Sequence, residues 1–327
     1  MGRGRILSGM RPTGQLHIGH LSVLENWVQL QNKYDCFYFI ADWHALTTCF
    51  EETGELRQNT IDIAVDWLSA GIEPEKSTVF VQSGIPEHAE LNLIFSMITP
   101  LPWLERVPTY KDQVAQLREQ GKDISTYGFL GYPLLQAADI LMYKASAVPV
   151  GEDQLPHVEL CREVSRRFNH LYGKVFPEPQ SLLSKVPMIP GVDGRKMSKS
   201  YMNDISLTAG EKEIKKKVRA MITDPARIRK DDPGHPDVCI VYTYHSIYSP
   251  KELEAIREAC EGGKIGCVEC KNRLAAVLNK ALAPIREKRE EILARPGYIE
   301  DVLAEGASKA KKVAAQTMEE VHRALKF

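Results

Sequence analysis

Ser8-Gly9-Met10-Arg11-Pro12-Thr13-Gly14-Gln15-Leu16-His17-Ile18-Gly19-His20 decides how the rest of this 327-residue chain is read. It extends a short apolar run, Arg5-Ile6-Leu7, of strand character. Gly9, Pro12 and Gly14 then enforce a turn. Beyond it Leu21, Leu24, Trp27, Val28 and Leu30 recur at helical spacing. The two histidines therefore stand three residues apart at a helix start, whose free N–H groups and positive dipole end suit a polyphosphate. Gly19 has no side chain, which leaves room for a flat base or sugar against the backbone.

The same rhythm continues outward. Cys36-Phe37-Tyr38-Phe39-Ile40-Ala41 reads as a buried parallel strand, with Asp42-Trp43-His44 at its carboxyl end. A helix near 55–70 stops at Gly71, Ser77–Gln82 is a third strand, and Pro86 opens a helix through Ile98. A helix over 131–143 and a strand at Ala147–Val150 follow. This alternation predicts an α/β, Rossmann-like doubly wound parallel sheet in residues 1–202, loosened by an insertion at about 99–128. From 203 to 327 the strand rhythm is lost, and Lys/Glu-rich amphipathic segments predict a second, helical domain.

Composition narrows the function. Lys plus Arg total 42 against 43 Asp plus Glu, a net charge of −1, which excludes a binder driven by bulk charge. The charge is uneven, however: from Lys185 to Lys230 there are 12 basic residues against five acidic, a local surface that fits RNA. No run reaches the roughly 18 apolar residues of a membrane span. The first strand begins almost at once, without a signal peptide, so the cytoplasm is expected.

A second stretch, Gly194-Arg195-Lys196-Met197-Ser198-Lys199-Ser200, sets two lysines around a serine in a polar loop. His17-Ile18-Gly19-His20 and Lys196-Met197-Ser198-Lys199-Ser200 together resemble the two signatures of class I aminoacyl-tRNA synthetases. Over nearly the whole chain the likeness is to the tryptophanyl-tRNA synthetases. It is carried by Ser8–Gly14, Ile40–Ala45, Tyr132–Asp139 and Val148–Gln154.

That resemblance implies ATP and Mg²⁺, with tRNA(Trp) and L-tryptophan as partners in a homodimer. His17, His20, Lys196, Lys199 and Lys111 would be the catalytic set. Arg11, Pro12, Thr13, Gly19, Gly151, Glu152, Asp153, Gln154, Val186, Met197, Ser198 and Ser200 would complete the ATP site. Asp139, Tyr132, Gln136, Leu7, His44, Val148 and Val150 would line the amino-acid pocket, and residues 203–327 would bind the anticodon.

The choice of amino acid rests on chemistry. Tyr132, Gln136 and Asp139 stand at i, i+4 and i+7, on one helix face. A carboxylate among apolar neighbours needs a donor, and an indole N–H is a donor only. Tyrosyl-tRNA synthetases, the alternative, supply a phenol donor from the end of the first strand, where this chain has Leu7. They also place an aspartate where Arg11 stands. If Asp139 is reserved for the ring N–H, phenylalanine leaves it unpaired, a mismatch that can discriminate by about 10⁴–10⁵. An inactive paralogue that only binds RNA is a further alternative, opposed by the full set of ATP-directed residues.

Cys239, Cys260, Cys267 and Cys270 form Cys-x20-Cys-x6-Cys-x2-Cys beside Gly262, Gly263 and Gly266. Cys36, Cys49 and Cys161 read as small core residues. One Cys-x-x-Cys knuckle with two outlying cysteines suits a [4Fe–4S] cluster, with Zn²⁺ as the alternative. Some members of the family resembled carry such a cluster near the anticodon surface.

Overall fold

The computed structural model describes residues 3–107, 124–183 and 189–327, which form two compact units. Unit 1 comprises residues up to 14, 25–185 and 295–327; unit 2 comprises 15–24 and 186–294.

Unit 1 is built on five parallel strands in the order β3-β2-β1-β4-β5. These are β1 Arg5–Met10, β2 Asp35–Ile40, β3 Ser77–Val81, β4 Ala147–Val150 and β5 Gln180–Leu183. The helices are α1 Ile18–Leu30, which starts in unit 2 and runs into unit 1, α2 Asp42–Cys49, α3 Leu56–Ser69, α4 Glu87–Ser96 and α5 Leu101–Glu105. They continue with α6 Tyr127–Met142 and α7 Leu155–Tyr172. β1 is central, with Ile6 in register with Cys36 on one side and Ala147 on the other. Its neighbours belong to opposite halves, so the strand order reverses at β1/β4, the place where open α/β sheets bind ligands beyond their carboxyl ends. Met10 there runs into the Arg11–Gly14 turn, and Val150 into Gly151–Gln154.

The strands are apolar on both faces because helices cover both. Phe39, Phe80, Phe95, Leu141, Val164 and Phe168 join one buried cluster, and Trp27 stacks on Tyr38 at 4.4 Å elsewhere in the core. β5 is the one strand the periodicity does not announce. Its four residues, Gln-Ser-Leu-Leu, are half-buried or exposed and become a strand only by pairing with β4.

Unit 2 holds the helices α8 Glu211–Ala220, α9 Ile240–Tyr248, α10 Leu253–Glu261 and α11 Cys267–Leu293. The expected division at 202/203 falls differently in space. Residues from 189 onward group with the helices: the Pro190 carbonyl accepts from the Tyr244 hydroxyl and the Val192 carbonyl from the Ile222 N–H, while the Asn203 amide folds the loop on itself, donating to Asp193 Oδ1 and the Lys196 carbonyl and accepting from Ser198 N–H. The last helix, α12 Tyr298–Leu325, leaves that domain and packs on edge strand β3 of unit 1. Its buried face, including Ile299, Val302, Ala310, Ala314 and Val321, covers an edge that would otherwise present open backbone. The approach is so close that a Cβ at Gly306 would collide with the Val79 carbonyl.

Candidate active site

One group of the residues singled out from sequence lies in unit 1. Thr126 caps α6 by accepting from the Phe129 N–H, and the helix then carries Asp139 into a fully buried position. Three side chains meet the carboxylate there. Oδ1 accepts from Gln82 Nε2 at 2.8 Å and from His88 Nδ1 at 2.6 Å, and Oδ2 accepts from His44 Nε2 at 2.7 Å. Burial alone would raise the Asp139 pKa, but the hydrogen bonds from His44 and His88 pull it down to about 2, so the group is an anion. His88 Nε2 meets the Tyr143 hydroxyl at 2.7 Å.

Tyr132 stands on the same side of α6, its ring edge-on to His44 at 6.4 Å. Its hydroxyl faces His157 Nε2 at 3.1 Å, while His157 Nδ1 meets Gln154 Oε1 at 2.7 Å. Because an amide oxygen only accepts, Nδ1 carries the proton and Nε2 accepts from Tyr132. Burial lowers the His157 pKa to about 4, consistent with a neutral ring. Gln154 is thus tied internally, whereas Glu152 and Asp153 remain exposed on the same turn. Gln136 is half-buried. Leu7, Val148 and Val150 belong to the apolar core behind these groups. In the turn after β1, Thr13 N–H closes on the Arg11 carbonyl at 2.9 Å, Pro12 is buried and Gly14 adopts φ +104°. Tyr132 and Cys49 lie close enough to act on the Arg11 charge.

His17, His20 and the Lys196–Ser200 loop lie in unit 2. Ile18 N–H bonds to the Ile205 carbonyl and His17 bridges to Ser206, which pins the helix start. The His17 and His20 rings lie 3.9 Å apart. His20 Nδ1 accepts from the His17 N–H, and His17 Nδ1 from the Gly19 N–H, both at 3.2 Å. Burial first, and the Lys199 charge with it, lowers His17 to about 4 and His20 to about 3; His17 also acts on His20. Both rings are therefore neutral, with the remaining proton on Nε2, ready to donate. A Cβ on Gly19 would lie 2.9 Å from the His17 ring and 3.5 Å from Met197 Sδ. The glycine thus makes room for this histidine and for Met197. Met197 is buried, whereas Lys196 and Lys199 are exposed, Lys199 opening a short turn to Tyr201 that contains Ser200. Lys111 and Val186 lie outside the described residues.

The four cysteines also come together within unit 2. Cys239 precedes α9, Cys260 ends α10, and Cys267 and Cys270 occupy the first turn of α11. None is in a disulfide. Burial raises the Cys270 thiol to about 12, and Cys239, Cys260 and Cys267 are close enough to add to the shift. Gly234 is required at this place, since a Cβ would sit 2.5 Å from Cys260 Sγ. Arg227 Nη1 lies 3.7 Å from Cys260 Sγ and 4.0 Å from Cys267 Sγ, and Arg227 Nε is buried without a partner. Among the described residues no three ligating side chains are drawn in tightly enough to hold a metal ion.

Gln82, His88, Tyr143 and His157 carry no role in the sequence reading. His88 did leave a signal: with Leu91 and Phe95 it forms an i, i+3, i+7 stripe on α4, so an imidazole points into the core.

Comparison with known proteins gives the family. Residues 2–283 match the family model described as tRNA synthetases class I (W and Y). A tryptophan–tRNA ligase of Thermotoga maritima is 56% identical over 325 residues, covering 98% of each chain. One from Aquifex aeolicus is 46% identical, covering 98% of this chain and 99% of its own. Among solved structures, the tryptophanyl-tRNA synthetase of Campylobacter jejuni complexed with ADP and tryptophan superposes with a TM-score of 0.89 at 34% identity, covering 99% of this chain and 100% of the other.

Proposed function

Because the chain belongs to the class I tRNA synthetases of the tryptophan and tyrosine family, we propose specific roles for the residues described above. The reaction is that of tryptophan–tRNA ligases: L-tryptophan is activated with ATP to tryptophanyl-adenylate and transferred to tRNA(Trp).

One observation carries the assignment of the amino-acid pocket. Asp139 Oδ1 already has two donors, whereas Oδ2 has only His44 and keeps an accepting lone pair. A ring N–H, donor only, fills that place. A phenol would also require a donor, and buried Leu7 offers none. Tyr132, Gln136, His44, Val148 and Val150 shape the rest of the pocket.

The tryptophan carboxylate oxygen bonds to the α-phosphorus of ATP as the bond to pyrophosphate breaks. His17 and His20 donate through Nε2–H to phosphate oxygens, and Lys196 and Lys199 take up charge on the departing pyrophosphate. Lys111 assists as a phosphate lysine. Arg11, Pro12, Thr13, Gly19, Gly151, Glu152, Asp153, Gln154, Val186, Met197, Ser198 and Ser200 complete the ATP contacts. Mg²⁺, when bound, would supply charge neutralisation for the triphosphate. The exposed Lys212, Lys215, Lys216 and Arg219 of α8 form the face offered to tRNA in the cytoplasm. No helix among the described residues is long and apolar enough to cross a membrane.

ATP–pyrophosphate exchange with tryptophan and tyrosine side by side tests the reading. Tryptophan should sustain exchange, with tyrosine lower by at least roughly 10²-fold. Comparable rates would remove Asp139 from its assigned role.

The four cysteines hold a [4Fe–4S] cluster in this reading, with Cys239, Cys260, Cys267 and Cys270 as ligands and Arg227 compensating its charge. The cluster orders the anticodon-facing loops and takes no part in the ligation. The chain pairs with a second copy through an apolar surface that includes Leu93, Met97 and Leu101, all more than half exposed. One anaerobic preparation checks both points: it should be brown, contain iron and sediment as a dimer. A colourless protein with one zinc per chain would replace the cluster by Zn²⁺, and a monomer would end the pairing.

A further inference from the structure

The indole-facing carboxylate is held from behind. His88 and Tyr143 are both fully buried, and the His88 ring is jacketed by Phe39 and Phe80, each at 6.2 Å. Since ionised Asp139 can only accept, His88 Nδ1 must carry the proton in the 2.6 Å contact. Its Nε2 meets the Tyr143 hydroxyl at 2.7 Å. Gln82 is fixed by the same logic: its Nε2 must face Asp139, which leaves Oε1 buried and without a partner. Two donors therefore fill both lone pairs of Oδ1. The carboxylate cannot rotate without breaking two buried charge-assisted hydrogen bonds, so Oδ2 stays on the side of His44 and Tyr132.

We propose that His88, backed by Tyr143, is a positioning residue for amino-acid specificity: it saturates one oxygen of Asp139 so that the other is presented to the ring N–H of the substrate. The inference rests on the reading of Asp139 as that acceptor. It assigns His88 no contact with substrate. Its effect therefore passes through one hydrogen bond and must vanish for a substrate that cannot make it. Asparagine at position 88 can place an amide N–H near Nδ1 of the histidine it replaces, whereas alanine cannot.

The test measures kcat/KM in pyrophosphate exchange for L-tryptophan and for β-(3-benzothienyl)-L-alanine, an isostere in which sulfur replaces the ring N–H. Wild type, His88→Ala, His88→Asn, Tyr143→Phe and Asp139→Asn are compared. Wild type should prefer tryptophan by about 10–10², the value of one hydrogen bond to a buried charge. His88→Ala should reduce that preference about tenfold, His88→Asn should recover most of it, and Tyr143→Phe should reduce it less than His88→Ala. A structural role alone would lower both substrates by one factor in His88→Ala, leave the preference intact and so overturn the proposal. If His88→Ala does not fold, an unchanged preference in Tyr143→Phe overturns it equally. Should wild type and Asp139→Asn show the same preference, the reading of Asp139 itself fails, an outcome distinct from failure at His88 alone.

Discussion

Lys199→Ala is expected to slow tryptophanyl-adenylate formation by roughly 10²–10³-fold, the scale of removing one preorganised charge from a developing anion. The lysine is exposed, yet its charge reaches both histidines of the opening turn and helps hold them neutral. The variant therefore carries a second signature. Both histidines titrate in the folded state far below their ordinary 6.5, at about 4 and 3. The unfolded chain then binds protons first, and folded stability falls as pH drops from about 6.5 towards 4. Removing Lys199 relieves part of the electrostatic cause, so acid destabilisation should be milder in the variant even as activation collapses. Single-turnover adenylate formation measures the rate, and thermal melting from pH 7 to pH 4 measures the linkage. An adenylation rate within a few-fold of wild type would take Lys199 out of the mechanism.

Asp139→Asn should be nearly as damaging, lowering kcat/KM for tryptophan by roughly 10²–10³-fold with the KM for ATP little changed. The amide offers one acceptor oxygen where the carboxylate offered two, and sets N–H donors against at least one of His44, Gln82 and His88. Each buried donor left without an acceptor costs about 1–3 kcal/mol. Steady-state exchange at saturating ATP decides this; a loss of less than about fivefold would show that the carboxylate is structural.

The same geometry revises the expected rejection of phenylalanine. The figure of about 10⁴–10⁵ assumed that a ring without a donor abandons Asp139. In the structure three protein donors stay on the carboxylate whatever the pocket holds. Phenylalanine therefore forgoes one hydrogen bond to a charged group, about 10–10²-fold, and further discrimination must come from the fit of the larger indole.

Much of the site was legible because it is local. The opening strand, turn and helix follow from glycine, proline and a 3.6-residue period within thirty residues. The spacing of Tyr132 and Asp139 puts both on one side of α6, and each does approach His44. The partners of Asp139 were not legible in the same way. Gln82 and His88 are 57 and 51 residues away in sequence, and no periodicity links an α4 histidine to an α6 carboxylate.

By itself, then, the sequence determined the class of the fold and singled out the helix-start histidines, the two-lysine loop and the acidic residue of α6, since each is written in contacts a few residues apart. Only the tertiary structure decided which oxygen of Asp139 is spoken for, that Gly19 makes way for His17 and Met197, and that the last helix returns to cover β3. An amphipathic pattern states that a face must be buried; which surface buries it depends on the open edge and close backbone approach that exist only once the sheet has formed.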